Sequence, residues 1–268
     1  MPRRSSEPNF IEALARGLDV LCAFQPGEPV LTLSAVASRA TLARPTARRI
    51  LITLTELGYV RAKGNGFTLT AKVLDLGMAF VQSLGLWEVA RPHMERLVAH
   101  THESSSIAQL DGSDIVYVAR VAVPKIVGLG VSIGTRFPAG ATSLGKVLLA
   151  ALPPDQVASV LAHPSRSGVS PRVLPSAADL DHELTQVRAQ GWSMTDGQLE
   201  QSIRSVAAPV RNGQGRVIAA LNVNTNAYET SVEKLLDHHL PLLLQTAAAI
   251  SADWARLQEV PHVVTAEA

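Results

Sequence analysis

Hydrophobic residues between positions 31 and 69 are spaced first for two helices and then for two short strands. The first apolar stripe comprises Leu33, Val36 and Ala37. The second stripe, which we expect to pack inward, comprises Ala47, Ile50, Leu51, Leu54 and Leu57. Pro45 suits only the first turn of a helix, and Gly58 ends the second helix. A strand, a turn and a strand follow over residues 59–69, so the pattern predicts a winged helix-turn-helix.

The polar residues of this segment suit a helix that enters the major groove of DNA. Residues 31–66 carry six basic side chains and one acidic side chain, and residues 1–85 carry ten against six. The rest of the chain carries fourteen against seventeen, so positive charge is concentrated at the end that would meet phosphates. The alternative is a small helical domain with an ordinary solvated basic face. We predict a double-stranded DNA operator as partner, contacted by Arg44, Thr46, Arg48, Arg49, Thr53, Arg61 and Lys63.

The apolar pattern also divides the chain into segments. The helix expected over residues 10–24 has Ile11, Leu14, Leu18 and Leu21 on one face. The linker helix that follows the wing is so apolar that we expect it to be covered, by a second copy of the chain. We predict a flexible arm over residues 1–9, a DNA-binding domain over 10–69, a linker helix over 70–86, a second domain over 87–260 and a tail over 261–268.

The second domain alternates strands with helices. We expect strands over residues 104–109, 115–121, 126–132, 192–195, 203–210 and 217–225. We expect helices over residues 87–102, 142–151, 154–162, 176–190 and 229–257. The last helix should bend at Pro241. Turn residues at 111–112 and 212–215 make neighbouring strands antiparallel, so the predicted fold class is α+β, with an antiparallel sheet covered by helices.

Composition limits the kinds of protein that fit. Apolar residues make up 47% of the chain and aromatic residues 4%, so the chain should fold around aliphatic cores. Its lone cysteine, Cys22, allows no internal disulfide, which favours a reducing compartment and a cytoplasmic location. The apolar neighbours of Cys22 predict that it is buried. No stretch of eighteen apolar residues predicts a membrane span, and the first residues do not resemble a secretion signal.

Residues 140–147 nearly match a phosphate-binding loop, but Val147 stands where the hydroxyl ligand of magnesium is required. Nucleotide hydrolysis is therefore disfavoured. A helix that starts near Thr142 still directs free N–H groups and a positive dipole end at whatever precedes it, which suits a carboxylate. The alternative is a helix that Thr142 caps, with nothing bound.

Asn222 and Asn224 lie two residues apart and so share one face of a predicted strand. Polar side chains in such a strand face either water or a cavity, and the sequence favours water. Arg204 on the neighbouring strand can pair bidentately with an anionic ligand. Its alternative role is a surface salt bridge with Asp196 or Glu200.

The histidine and serine residues match neither a metal site nor a nucleophile elbow. We therefore predict that the protein is not an enzyme and has no catalytic residues, no metal and no cofactor. The alternative from another class is an enzyme that acts on a small acid with its C-terminal domain. A pure protein-interaction module is a third interpretation, which the basic excess of residues 31–66 disfavours.

Several long stretches resemble the IclR family of bacterial transcription regulators. They include LTLSAVASRATLARPTARRILITLTELGYV, GTRFPAGATSLGKVLLAALPP and RAQGWSMTDGQLEQSIRSVAAPVRNGQGRVIAALNVN. The resemblance spans residues 10–258 and favours the branch that governs breakdown of protocatechuate, 4-hydroxybenzoate and related compounds through β-ketoadipate. The alternative is an IclR-type regulator of another carbon-source pathway. The resemblance implies a winged helix-turn-helix, a linker helix and a C-terminal GAF-like effector domain, in homodimers that often pair into homotetramers.

The resemblance also implies a small organic carboxylate effector. Relatives often have a smaller residue where Leu144 stands, and a capping serine or threonine where Ala43 stands; loss of that cap costs about 1 kcal/mol. Residues 201–203 also differ from those of relatives, which usually have a glycine-leucine run before the arginine and serine that stand here at positions 204 and 205. With Arg204 added as an alternative anion partner, the implied effector pocket comprises Leu129, Phe137, Ser143, Leu144, Thr195, Asp196, Arg204, Ser205, Asn222 and Asn224.

Overall fold

The computed structural model describes residues 9–25, 28–76, 85–124 and 131–259. The chain divides into two units, residues 1–83 and residues 84–268, each with its own packing. No helix within the described ranges is both long and apolar enough to cross a membrane.

The N-terminal unit has three helices followed by a hairpin. The helices are α1 (Glu12–Cys22), α2 (Leu33–Arg39) and α3 (Arg44–Glu56). The hairpin strands β1 (Val60–Lys63) and β2 (Gly66–Leu69) are antiparallel, with Val60 opposite Leu69. This order of elements confirms the predicted winged helix-turn-helix.

Local chemistry determines where these helices begin. The Thr32 side chain accepts a hydrogen bond from the Ala35 N–H and caps α2, whereas Ala43 leaves the start of α3 without a side-chain cap. Gly66 lies so close to the Leu31 carbonyl that an added Cβ would be 2.6 Å from its oxygen, so the wing can pack here only with glycine. The core of the unit comprises Val20, Leu31, Val36, Leu51, Leu54 and Val60.

Two burial predictions for this unit are wrong. Leu57 is 52% exposed because α3 ends there, beyond the core that Ala47 and Leu51 contact. Cys22 is exposed because it lies roughly 200° around α1 from the buried Val20. The predicted apolar face of α1 is also solvent-exposed in the single chain, at Ile11, Leu14 and Leu18.

The C-terminal unit is built on a six-stranded antiparallel sheet with strand order β5-β4-β3-β8-β7-β6. Its strands are β3 (Ser104–Asp111), β4 (Asp114–Val121), β5 (Arg136–Pro138), β6 (Ser193–Asp196), β7 (Ile203–Arg211) and β8 (Val217–Asn226). A bulge interrupts the β3–β4 pairing. Ile107 faces Ala119 and Ala108 faces Tyr117, so Val118 is the extra residue.

Helices cover both faces of this sheet. They are α4 (Leu86–Thr101), α5 (Ser143–Ala150), α6 (Pro154–Leu161), α7 (Ala177–Gln190), α8 (Val232–Lys234) and α9 (Leu240–Glu259). Helices α4 and α9 pack on the face that carries Leu221 and Val223. Helices α5, α6 and α7 pack on the opposite face, which carries Ala207 and Ala220. The predicted α+β class and antiparallel sheet are confirmed.

Two predicted elements differ from the structure. Of the strand expected over residues 126–132, residues 126–130 lie outside the described residues, and residues 131 and 132 are not in a strand. The sheet instead has an edge strand at Arg136–Pro138, which is too short to produce an alternating pattern and tolerates proline because it lies at the edge.

The closing helix is not a single helix over residues 229–257. It begins at Val232, widens into a π turn at Leu235–His239 and continues as α9. Pro241 has no N–H to donate to the carbonyl four residues earlier, and the π turn lies where that hydrogen bond is lost.

Candidate functional site

A cavity of about 350 Å³ lies in the C-terminal unit, between the sheet and the start of α5. Its wall includes side chains from strands that are far apart in the sequence but adjacent in the sheet. The predicted effector residues that line it are Phe137, Ser143, Leu144, Thr195, Ser205, Asn222 and Asn224. Leu129 lies outside the described residues.

The sheet presents a row of polar side chains to this cavity. Thr195, Ser205, Asn224 and Ser104 are register partners across β6, β7, β8 and β3, and all four line the cavity. Because strand residues two apart share a face, Asn222 belongs to the same wall. The prediction that Asn222 and Asn224 face water is wrong, since Asn222 is only 1% exposed.

These polar side chains are joined by hydrogen bonds. The Asn222 Nδ2 donates to Asn224 Oδ1 (3.0 Å) and to Ser205 Oγ (3.3 Å), and its Oδ1 accepts from the Ser106 N–H (3.0 Å). The Ser143 Oγ donates to Ser205 Oγ (2.8 Å), which ties the start of α5 to β7. The network fixes the amide orientations and leaves oxygen and nitrogen atoms at the cavity surface.

The start of α5 combines the two alternatives that the sequence left open. The Thr142 side chain accepts a hydrogen bond from the Gly145 N–H (3.0 Å), so the helix is capped as the plainer alternative expected. Residues 141–144 nevertheless line the cavity, so the helix start faces that cavity. An N-terminal helix end of this kind favours a negatively charged group.

The Gly145-Lys146 pair does not act as a phosphate-binding loop. A Cβ at Gly145 would be 2.1 Å from the Ala139 carbonyl oxygen, so glycine is required for packing. The Lys146 side chain is buried and points to Glu183 Oε2 and Gln198 Oε1, both at 2.6 Å. Burial lowers the pKa of Lys146, and its Glu183 partner opposes that shift. Lys146 is thus held away from the cavity.

Arg204 and Asp196 do not line the cavity, which corrects their assignment to the effector pocket. The Arg204 guanidinium donates to Asp196 Oδ2 (2.8 Å) and to the Thr230 carbonyl. The two side chains face each other across the β6–β7 pair, where Asp196 is the register partner of Arg204. This is the salt bridge that the sequence offered as the alternative role of Arg204.

Tyr117 and Arg120 are among the residues of the cavity wall that the sequence missed. They are three residues apart on β4, and a regular strand would direct them to opposite faces. The bulge at Val118 shifts the alternation by one residue, so both side chains face the cavity. Only the tertiary pairing of β3 with β4 reveals this.

Tyr117 is buried against Phe137, with ring centroids 5.8 Å apart in an edge-to-face arrangement. Burial raises the pKa of Tyr117 to about 12, and a hydrogen bond with Asn224 partly opposes that shift. The phenol is therefore neutral at physiological pH and is available as a hydrogen-bond donor or acceptor at the cavity wall.

A basic surface lies on α3 and the wing of the N-terminal unit. Thr46 is half-buried and Thr53 is exposed, with its hydroxyl donating to the Arg49 carbonyl (3.1 Å). Arg39, by contrast, is paired with Glu28. Among the described residues none forms an ion pair with the exposed basic side chains of Arg44, Arg48, Arg49, Arg61 and Lys63.

Both units match parts of one protein family. The family described as the IclR helix-turn-helix domain matches residues 13–64, and the family described as bacterial transcriptional regulator IclR C-terminal matches residues 78–252.

Relatives and solved structures give the same result over nearly the whole chain. The Pca regulon regulatory protein of Pseudomonas putida is 38% identical over 90% of this chain and 83% of its own length. The p-hydroxybenzoate hydroxylase transcriptional activator of Acinetobacter baylyi is 33% identical over 89% of this chain and 90% of its own. An IclR homologue from Microbacterium hydrocarbonoxydans, solved with 4-hydroxybenzoate, is 26% identical with a TM-score of 0.79, covering 91% of this chain and 99% of that one.

Proposed function

The chain belongs to the IclR family of bacterial transcriptional regulators, and on this premise we propose that it controls genes for the breakdown of aromatic compounds. Two similar proteins are named for the Pca regulon and for p-hydroxybenzoate hydroxylase, which supports that class of pathway. In this proposal the N-terminal unit binds an operator and the C-terminal unit binds the effector. Residues 10–69 and 87–260 are the two domains, and residues 70–86 link them.

The proposed DNA contacts are of two kinds. Arg48 and Arg49 are exposed on the second helix of the helix-turn-helix, which is the helix that enters the major groove in this motif. We assign the reading of base edges to Arg48 or Arg49. We assign phosphate contacts to Arg44 at the start of α3 and to Arg61 and Lys63 on the wing. Thr46 and Thr53, which are also proposed to contact DNA, lie on α3.

The proposed effector is a small organic carboxylate, either an aromatic acid or a β-ketoadipate-type diacid. The observation that carries this proposal is the hydrogen-bonded set of Ser143, Ser205, Asn222 and Asn224, which lines a cavity at a helix start. The helix N–H groups would take the carboxylate, and the set would bind the remaining oxygens. Phe137 and Leu144 are buried apolar residues of the wall that would cover the carbon skeleton.

Effector binding changes operator affinity only to the extent that the effector prefers one of two arrangements of the protein. The proposal therefore predicts two separable activities. Variants of the basic surface should lose DNA binding and keep effector binding, whereas variants of the cavity should do the opposite.

The proposal is tested by selecting the bound DNA sequence from a random duplex pool and then adding acids to the complex. We expect one enriched operator, and a shift in its affinity when an aromatic acid or a β-ketoadipate-type diacid is added. Asn224→Leu should remove that shift while operator binding is retained, because Asn224 is half-buried and the Ser106 N–H keeps its Asn222 partner. Failure to enrich any sequence would refute the proposal that the chain binds an operator. An unchanged acid-induced shift in operator affinity in Asn224→Leu would show that the effector binds outside this cavity.

A further inference from the structure

Arg120 is the single basic side chain among the described residues that line the cavity. It lies on β4, directly opposite Ser106 of β3, which in turn lies opposite Asn222 of β8. Arg120 therefore continues the row of side chains to which Asn222 belongs. The cavity thus has a permanent positive charge in its wall, as well as the uncharged hydroxyl and amide groups already described.

The Arg120 guanidinium has donors to spare. Its NH1 donates to Ser106 Oγ (3.0 Å), and a guanidinium carries five N–H donors in a planar fork. No carboxylate of the described residues forms an ion pair with it. Partial burial lowers the pKa of Arg120, as expected for a cation taken from water without an anionic partner. A bound anion would compensate that burial.

The strand order separates Arg120 from the point where the start of α5 contacts the sheet. The Ser143 hydroxyl contacts Ser205 on β7, whereas Arg120 is on β4, with β3 and β8 between them. Three strand spacings correspond to roughly 14 Å between backbones. The long Arg120 side chain covers part of that span, which leaves room for a short carbon chain or one ring. The aromatic rings of Tyr117 and Phe137 line the same cavity.

Among the described residues that line the cavity, the other charged side chain is that of Glu103, just before β3, whose Oε1 accepts from Thr230 Oγ1 (3.4 Å).

We propose that Arg120 is a specificity-determining residue that binds a second carboxylate of the effector, so that the cavity selects small dicarboxylates over monocarboxylates of similar size. This inference rests on the proposed function, because it takes the first carboxylate to lie at the start of α5. A bidentate pair between the Arg120 fork and a carboxylate supplies both the charge compensation and the geometric selection.

The test is calorimetric titration of the full chain with matched acids. Glutarate, adipate and pimelate vary the separation of two carboxylates, while hexanoate and 4-hydroxybenzoate carry one. We expect one dicarboxylate to bind most tightly, and Arg120→Gln to weaken it by about ten-fold or more while monocarboxylate affinity changes less than about two-fold. Arg120→Lys keeps the charge without the fork and should give an intermediate loss.

Arg216→Gln is the matched control, because this arginine of the same unit is exposed and does not line the cavity. Thermal unfolding of each variant without ligand checks that the fold is retained, and Arg120→Lys carries the test if Arg120→Gln does not fold. Equal loss of both acid classes in Arg120→Gln, or monocarboxylates that bind wild type as tightly as dicarboxylates, would overturn the role of Arg120. Wild type that binds none of the acids would overturn the proposed effector class as well.

Discussion

The Tyr117 phenol lies inside the protein, between the bulge of β4 and the Phe137 ring. It packs within an apolar cluster, where the Asn224 amide and the Arg120 guanidinium offset only part of the effect of burial on its pKa. This environment disfavours the phenolate far more than water does. Among the residues of the cavity wall, Tyr117 therefore gives the clearest dependence on pH.

We predict a loss of stability at alkaline pH that Tyr117 causes. Burial raises the pKa of Tyr117 from 10.0 to about 12, so the folded chain keeps a proton that the unfolded chain releases. This contribution to stability is complete below pH 10 and is lost as the pH rises from 10 to 12. Ultraviolet titration of wild type and Tyr117→Phe checks the raised pKa on which this prediction depends, since the variant should lack the phenolate absorbance that appears near pH 12. Identical titration curves for the two proteins would contradict the assignment.

Single residues also show where sequence reasoning stops. The positions of Asn222 and Asn224 on one face follow from strand periodicity alone, although their cavity environment does not, because it depends on how α5 covers the sheet. Tyr117 and Arg120 were missed because a bulge leaves no mark in a two-residue period. The sequence offered Asp196 and Glu200 as salt-bridge partners of Arg204, and the β6–β7 register, which a single strand does not contain, selects Asp196.

At the scale of elements, the N-terminal helices and hairpin were predicted well because each has a strong local signal. Pro45 marks the start of α3, and the Lys63–Gly66 turn joins the wing strands. Strand β5 and the π turn at Leu235–His239 lacked such signals, since the first has three residues and the second keeps a helical apolar pattern. Strand β5 depends on its pairing with β4, and the π turn depends on the N–H that Pro241 lacks.

The recognition helix α3 carries the prediction on DNA. Replacing a base-reading arginine, Arg48 or Arg49, should cost roughly 1–3 kcal/mol of operator binding and relax specificity at one base pair. Lys63→Ala should weaken all sequences alike and reduce the salt dependence by about one counterion. Gel-shift titration at several salt concentrations measures both effects.

Arg216→Ala, which removes an exposed charge from the other unit, is the control for that experiment and should leave operator binding unchanged. Normal operator binding by the Arg48→Ala plus Arg49→Ala variant would show that α3 does not read the bases.

At the scale of the whole molecule, apolar surface remains uncovered on the N-terminal unit. Ile11 at the N-cap of α1 and Leu14 and Leu18 within it are at least half exposed, and Leu74 and Leu76 after the wing are 67% and 52% exposed. The rest of the predicted linker helix, residues 77–84, lies outside the described residues. Several large apolar side chains exposed on one unit are typical of a protein interface.

We predict a homodimer that uses this surface, with operator half-sites about one helical turn apart or a multiple of that. Light scattering should give about twice the chain mass of 28.5 kDa at micromolar concentration, or four times it if dimers pair. Leu74→Glu with Leu76→Glu should lower the mass toward that of a monomer, whereas Leu174→Glu, at a residue 65% exposed in the other unit, should not. A monomeric wild type would refute the prediction.

The central claim is that the cavity beside α5 is the effector site of an operator-binding regulator, and calorimetric titration of wild type against Asn222→Leu with Asn224→Leu tests it most directly. With 4-hydroxybenzoate, protocatechuate and β-ketoadipate as probes, wild type should bind at least one acid saturably, with one site per chain. The double variant should no longer bind the acid but should still bind the enriched operator sequence, because the basic surface of α3 is in the other unit. Affinity for the same acid that is unchanged in the double variant would contradict the claim.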